Sequence, residues 1–361
     1  MGIVGDDAAL LSVLPGRSLV VTEDLLVDGV HFSVGLAAPG VVTTTPADAG
    51  WRAVAANLSD LAAMGAAPLG ITVGLGLPGD LPVDWVEQLY HGMTQCLSQY
   101  DTAIVGGDLC RSPVLTVAIA AFGEVAPARV LRRTTAKPGD VIFVTGPHGA
   151  SRAGLELLLH PDQGQALTTA NRAALIRAHQ RPVPRLDVVS RLWACVEAGE
   201  RGRGGEVERG SDGVGSDGVG SDGVTESHPN TPTPQHPNTP TLPVTAMDSS
   251  DGLADAVLQI CRASQVGAVL HRGQIPLPAG LVGWVDESQA IAWALYGGED
   301  FELVLCLPGA IAQMLQPHLP GSAIVGEITS GHNVILRGEN GEPPDELLSL
   351  DQGFQHFGRD V

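Results

Sequence analysis

Carboxylates in this chain gather at turns rich in glycine and hydroxyl residues. Gly5-Asp6-Asp7 stands near the start, Thr22-Glu23-Asp24 follows, and Gly106-Gly107-Asp108 closes a short apolar strand. Asp248-Ser249-Ser250-Asp251-Gly252 leads into a helix, and Gly297-Gly298-Glu299-Asp300 precedes a strand. Taken singly, each reads as an ordinary turn or a helix N-cap. Together they read as a place for divalent cations and phosphate. Mg²⁺ takes oxygen ligands from a few carboxylates plus phosphate groups, and glycine lets the backbone approach phosphate oxygens. Asp60 fits the same pattern. It shares a face with Asn57 in the small, apolar stretch 53–64, with no Lys or Arg in the same two turns. A buried carboxylate without a partner is costly, and a cation would supply one.

Several chemistries are missing. The string VTGPHGASRAG at 144–154 has the strand–glycine–helix shape of a phosphate loop but no Lys in place, so a P-loop is excluded. It reads equally as a plain βα turn or as phosphate contact through helix-terminal N–H groups. There is no protein-kinase H-R-D motif, and no obvious Ser–His or Cys–His pair. The net charge of −20 argues against nucleic acid or an anionic membrane as partner. A polyphosphate can bind such a chain where metals bridge the two sets of charge. No apolar run is long enough for a membrane span, and the start lacks a signal-peptide core. Five scattered cysteines, never in C-x-x-C, read as reduced core thiols of a cytoplasmic protein.

With 361 residues the chain has room for two domains, and alternating strands and helices indicate an α/β (α+β) protein. The pattern predicts a strand over 19–22, a turn at Glu23-Asp24 and extended chain again over 27–32. A helix over 46–64, a strand over 69–77 and a helix over 83–100 follow. Strands come next at 103–105, running into Gly106-Gly107-Asp108, then at 114–124 and 130–133. The turn Lys137-Pro138-Gly139-Asp140 marks a boundary between domains 1–137 and 138–361. The second domain is interrupted at 199–243, where SDGVG and HPNTPT recur. That composition has too little apolar surface to fold, and it reads as a disordered insertion.

Taken in order, the strings GDDAAL (5–10), TEDLLVDGVHF (22–32), NLSDLAAMGAAP (57–68), GGDLCRS (106–112), AKPGD (136–140), TGPHGASRAGLELL (145–158), RPVPR (181–185), AMDSSDGLADAV (246–257), GGEDFEL (297–303) and GFQHF (353–357) resemble the thiamine-monophosphate kinase family. The resemblance implies a two-domain aminoimidazole-ribotide synthetase-like fold whose N-terminal domain forms a β-barrel shared with a second copy in a homodimer. It implies direct, in-line transfer of the γ-phosphate of ATP to thiamine monophosphate, dependent on several Mg²⁺ ions and without a phosphoenzyme. By motif, Asp7, Thr22, Asp24, Asp60, Asp108, Asp248 and Asp251 correspond to magnesium ligands. Gly107, Asp108, Arg133 and Ser250 correspond to ATP contacts, with Arg133 offsetting transition-state charge. His31, Glu299 and Phe354 correspond to substrate contacts. The family's Ser-Thr-Asp turn is here Thr22-Glu23-Asp24, an added carboxylate that motivates the alternative of a non-catalytic nucleotide- or metal-binding paralogue. Another ATP-dependent enzyme of the same superfamily is the remaining alternative. Two of its members need a cysteine at the C-terminus or near the N-terminus, whereas this chain ends Gly-Arg-Asp-Val and its first cysteine is Cys96.

Overall fold

The computed structural model describes residues 11–204, 244–339 and 342–353. Asp7, Phe354 and residues 205–243 of the expected insertion lie outside the described residues. The first half comprises β1 (Ser18–Val27), α1 (Pro46–Ala63), β2 (Ala67–Leu77), α2 (Val83–Leu97), β3 (Ile104–Arg111) and β4 (Thr116–Val125). Its four strands lie in the order β1-β4-β2-β3, antiparallel except for the parallel β2/β3 pair. Alternate residues of β2 and β4, among them Ile71, Val73, Val117 and Ile119, meet Val54, Leu58, Leu89 and Met93 of the two helices in one core.

The shared barrel implied by the family resemblance is not formed. This sheet is open, with β1 and β3 as its two edges. A barrel must pair its edges, and about eight strands are needed before side chains can fill one. Two local expectations are also corrected. No turn breaks β1 at Glu23-Asp24, because Glu23 and Asp24 stay in register opposite Ala120 and Ile119 of β4; the ladder overrides the local turn preference. Strand β3 likewise continues through Gly106-Gly107-Asp108 to Arg111. There a Cβ on Gly107 would stand 2.2 Å from the Val73 carbonyl oxygen, so glycine is what allows β2 and β3 to approach. Residues 130–133 form no strand and contribute a single bridge, Arg132 to Thr245.

The second half runs β5 (Val141–Val144), α3 (Ala150–Leu159), α4 (Thr169–Gln180), α5 (Leu186–Gly204), β6 (Thr245–Asp248), α6 (Leu253–Ser264), β7 (Gly267–His271), α7 (Glu287–Tyr296), β8 (Leu303–Leu307), α8 (Gly309–Leu315), β9 (Ala323–Thr329), β10 (Val334–Arg337) and β11 (Glu346–Leu347). Helix α5 carries on past residue 199, where the insertion was expected to begin, as far as Gly204. The seven strands lie in the order β11-β10-β7-β9-β5-β8-β6, and β6 and β8 are buried throughout.

Helix α1 belongs to both halves. Thr45 caps it by accepting the Asp48 N–H at 3.1 Å, Pro46 opens the first turn, and Gly65 (φ +71°) turns the chain away at the end. Small side chains let it be enclosed almost completely. A Cβ on Gly50 would lie 2.0 Å from the Leu89 carbonyl oxygen, and one on Gly92 would lie 1.8 Å from that of Ala47. The backbones of α1 and α2 therefore cross in direct contact. The helix also packs against β1 and β4 on one side and β6, α4 and α5 on the other.

Candidate active site

Four of the expected carboxylates, Asp24, Asp60, Asp248 and Asp251, lie within electrostatic reach of one another where α1 meets the C-terminal end of β6. The Thr22 hydroxyl on β1 donates to Asp60 Oδ2 at 2.5 Å. From α1, Ser59 donates to Asp248 Oδ2 at 2.7 Å, and Ser250 donates to Oδ1 of the same carboxylate at 3.2 Å. Burial pushes the Asp248 carboxyl up to about 7, and the charge of Asp60 adds to the rise. Burial, then the charges of Asp60 and Asp251, push Asp24 up to about 6. Burial also raises Asp60, against the opposing effects of the Thr22 hydroxyl and the Arg133 guanidinium. Arg133 is the cation that acts on Asp60 and Asp248. Buried negative charge therefore exceeds its positive complement here.

Beside this group lies an open cleft of about 1060 Å³ between the two halves, lined by Asp24, His31, Arg52, Ser250, Asp251 and Glu299 among others. His31 Nδ1 accepts the Val27 N–H at 3.1 Å, which leaves Nε2 to carry the proton of the neutral ring. Glu299 has φ +62° and Phe301 φ +52°, left-handed conformations that cost about 1–3 kcal/mol each in a non-glycine residue. The Glu299 N–H donates to the Ser250 carbonyl at 2.7 Å, and its carboxylate pairs with the buried Arg52. Between these two strained residues, Asp300 is partly buried. Its carboxylate accepts the N–H groups of Gly149 at 2.6 Å and Ser151 at 2.9 Å. The glycine turn before α3 is thus filled by a carboxylate of the same chain, which decides for the plain βα turn over phosphate contact.

Several expected positions are exposed, and of these Asp251 and Arg133 reach the carboxylates through their charges. Asp108 is exposed on the edge strand β3 and is not among the charges acting on Asp24, Asp60 or Asp248. Gly107 is explained by strand packing. Arg133 is exposed, and its carbonyl accepts the Ser264 hydroxyl at 2.8 Å. Asp251, also exposed, raises the Asp24 carboxyl through its charge. Sequence reasoning missed Ser59, Arg52 and His179. Ser59 lay inside a quoted motif, and a hydroxyl next to a functional Asp was the available signal. Arg52 and His179 carried none, because their roles depend on contacts spanning 127 residues.

The residues present fit Mg²⁺. The donors are all oxygen, their negative charge is in excess, and they are held by hydroxyl groups. Among the described residues no three His, Cys, Asp or Glu side chains converge as a complete ligand set. The described cysteines are all free, with Cys110 exposed and the others buried. No described helix is long and apolar enough to cross a membrane.

Residues 5–125 match the family model for the AIR synthase related protein, N-terminal domain. A thiamine-monophosphate kinase from Synechococcus elongatus is 48% identical over 98% of this chain and 91% of its own length. The crystal structure of thiamine-monophosphate kinase from Stenotrophomonas maltophilia superposes with a TM-score of 0.71 at 31% identity, covering 93% of this chain and 90% of that one. A structure of AaThiL complexed with AMPPCP and TMP gives 0.67 at 27% identity, over 97% and 93%. Its likeness in sequence and fold over nearly its whole length places this chain in the thiamine-monophosphate kinase family.

Proposed function

We infer that the chain phosphorylates thiamine monophosphate to thiamine diphosphate with ATP as donor. Beyond family membership, one observation carries the reading. Asp24, Asp60, Asp248 and Asp251, from three separate segments, gather beside a cleft large enough for both substrates. Both reactants are anionic, so the site must neutralise charge and align them, which is most of the catalysis in phosphoryl transfer. The acceptor is already a phosphate oxyanion and needs no strong general base.

In this reading Asp24, Asp60, Asp248 and Asp251 hold Mg²⁺, with Thr22 and Ser59 orienting two of the carboxylates. The bound cations would supply charge neutralisation between donor and acceptor phosphates. Arg133 adds a positive charge beside the same group, and Ser250 offers its hydroxyl toward the nucleotide. His31 and Glu299, on the cleft wall, face the thiamine portion, Glu299 opposing its cationic ring. Asp7, Asp108, Gly107 and Phe354 belong to this proposal by motif alone. The same reading includes a division into domains 1–137 and 138–361, a cytoplasmic location and a homodimer. Leu19, Val21 and Leu25, each about half exposed on the outward face of β1, are surface for a second copy.

The test is product formation from ATP, Mg²⁺ and thiamine monophosphate, followed by chromatography. Asp60→Asn is expected to lower kcat by about 10²–10³ while the protein stays folded. ATP binding with no thiamine diphosphate formed would favour the non-catalytic paralogue instead.

A further inference from the structure

We propose that Arg52 is a positioning residue for substrate recognition: from within α1 it fixes the Glu299 carboxylate at the cleft wall, tying the thiamine contact of one half of the molecule to the core of the other. The inference rests on the reading of Glu299 as a thiamine contact and goes beyond it in naming what holds that residue.

Arg52 is only 1% exposed, an unusual place for a guanidinium. No acidic side chain of α1 takes its charge. Its partners come from the other half of the chain. One terminal nitrogen pairs with Glu299 Oε1, and the other donates to the His179 carbonyl at the end of α4. The second nitrogen also lies 3.4 Å from His179 Nδ1, which meets the Ser151 hydroxyl at 3.1 Å. Burial, with Arg52 and Arg152 nearby, holds the imidazole well below its ordinary pKa. His179 is therefore neutral and does not compete with Arg52 for the carboxylate.

Glu299 is held at both ends. Its backbone, at φ +62°, is pinned by the N–H bond to Ser250, next to the carboxylate group. Its side chain is one-third exposed toward the cleft. Oε1 is taken by Arg52, while Oε2 lies 3.9 Å from His179 Nδ1 and remains for a ligand. The hydrogen bond to the His179 carbonyl orients the planar guanidinium, and the ion pair sets its charge against Glu299, a combination a lysine ammonium provides less well. Arg52 thus sets where negative charge meets a cationic heterocycle.

The test is steady-state kinetics of Arg52→Met, Arg52→Lys, Glu299→Gln and the double variant Arg52→Met/Glu299→Gln, each substrate varied with the other saturating. Arg52→Met is expected to raise KM for thiamine monophosphate about tenfold and to leave KM for ATP within about twofold. Arg52→Lys should recover part of the loss. The double variant should be no worse than Glu299→Gln alone, because Arg52 acts through that carboxylate. Equal rises in both KM values, or additive effects in the double variant, would overturn the proposal. If Glu299→Gln leaves KM for thiamine monophosphate unchanged, the underlying reading of Glu299 fails. If Glu299→Gln raises it and Arg52→Met does not, the role of Arg52 alone fails. Should Arg52→Met not fold, Arg52→Lys carries the same comparison, a selective rise in KM for thiamine monophosphate supporting the proposal and its absence overturning it.

Discussion

Asp248 shows how a single residue is prepared for its task. It is 2% exposed, and burial with a neighbouring carboxylate works against its charge. Two hydroxyl groups work in its favour, and the one from Ser59 reaches it from the opposite half of the chain. Ser59→Ala would leave Oδ2 enclosed without that donor. The expected cost is about 1–3 kcal/mol of folding stability, read as a lower urea midpoint. It should come with a roughly tenfold fall in kcat at fixed Mg²⁺, because an unanchored carboxylate loses the orientation phosphoryl transfer needs. Ser249→Ala is the control. Its hydroxyl is equally buried but has no partner among the described residues, so it should leave both measurements nearly unchanged.

At the scale of elements, α3 and the α1–α2 pair each depend on one local device. The start of α3 rests on Asp300, whose carboxyl burial pushes from 3.8 up to about 7. A carboxyl raised on folding contributes stability that is complete below its unfolded pKa and is lost as pH rises through the folded value. The thermal midpoint of the wild type should therefore fall between about pH 5 and about pH 8. Asp300→Asn, which still accepts hydrogen bonds at the helix start, should show a shallower slope, and scanning calorimetry of the two proteins across that range checks it. The α1–α2 crossing depends on Gly50 and Gly92. Gly92→Ala would drive a methyl into the Ala47 carbonyl, at an expected cost of about 3 kcal/mol or more, measured by denaturant unfolding. Much of this scale was legible in the sequence. The capped, alanine-rich α1 and the apolar β2 were expected close to where they lie. The strand reading failed at Glu23-Asp24 and at Gly106-Gly107, where pairing with β4 and β2 outweighed the local turn signal. The candidate carboxylates were legible as acidic residues beside glycine or hydroxyl residues and, for Asp60, on an apolar helix; the contacts of Ser59 and Arg52 were not, because each joins residues more than a hundred positions apart.

For the whole molecule, the question is what fixes one half against the other while the cleft stays open. A seam of polar contacts joins the first half to the end of α4 and the segment after it. Gln180 donates to the Thr43 carbonyl at 2.8 Å, Trp51 Nε1 donates to the Pro182 carbonyl at 2.8 Å, and Arg181 pairs with Asp48 at 2.5 Å. The Arg181 guanidinium also lies 5.3 Å from the Trp51 ring and donates to Gln95 at 3.0 Å. The Ser59–Asp248 bond is a further polar link between the halves. Removing Arg181 leaves Asp48 with its bond from Thr45 but without its ion pair. Both side chains of that pair are partly open to water, so the loss is smaller than for a fully buried pair. We expect Arg181→Ala to cost about 1–3 kcal/mol. Because α1 lies in the cores of both halves, the variant should still unfold in one step, with tryptophan fluorescence and far-ultraviolet circular dichroism giving the same urea midpoint. Its kcat should fall more than its Tm would suggest, since α1 carries Asp60 and Ser59 to a site whose other carboxylates come from β1 and β6. Two separated transitions would show that the halves fold independently and that the seam, rather than α1, couples them.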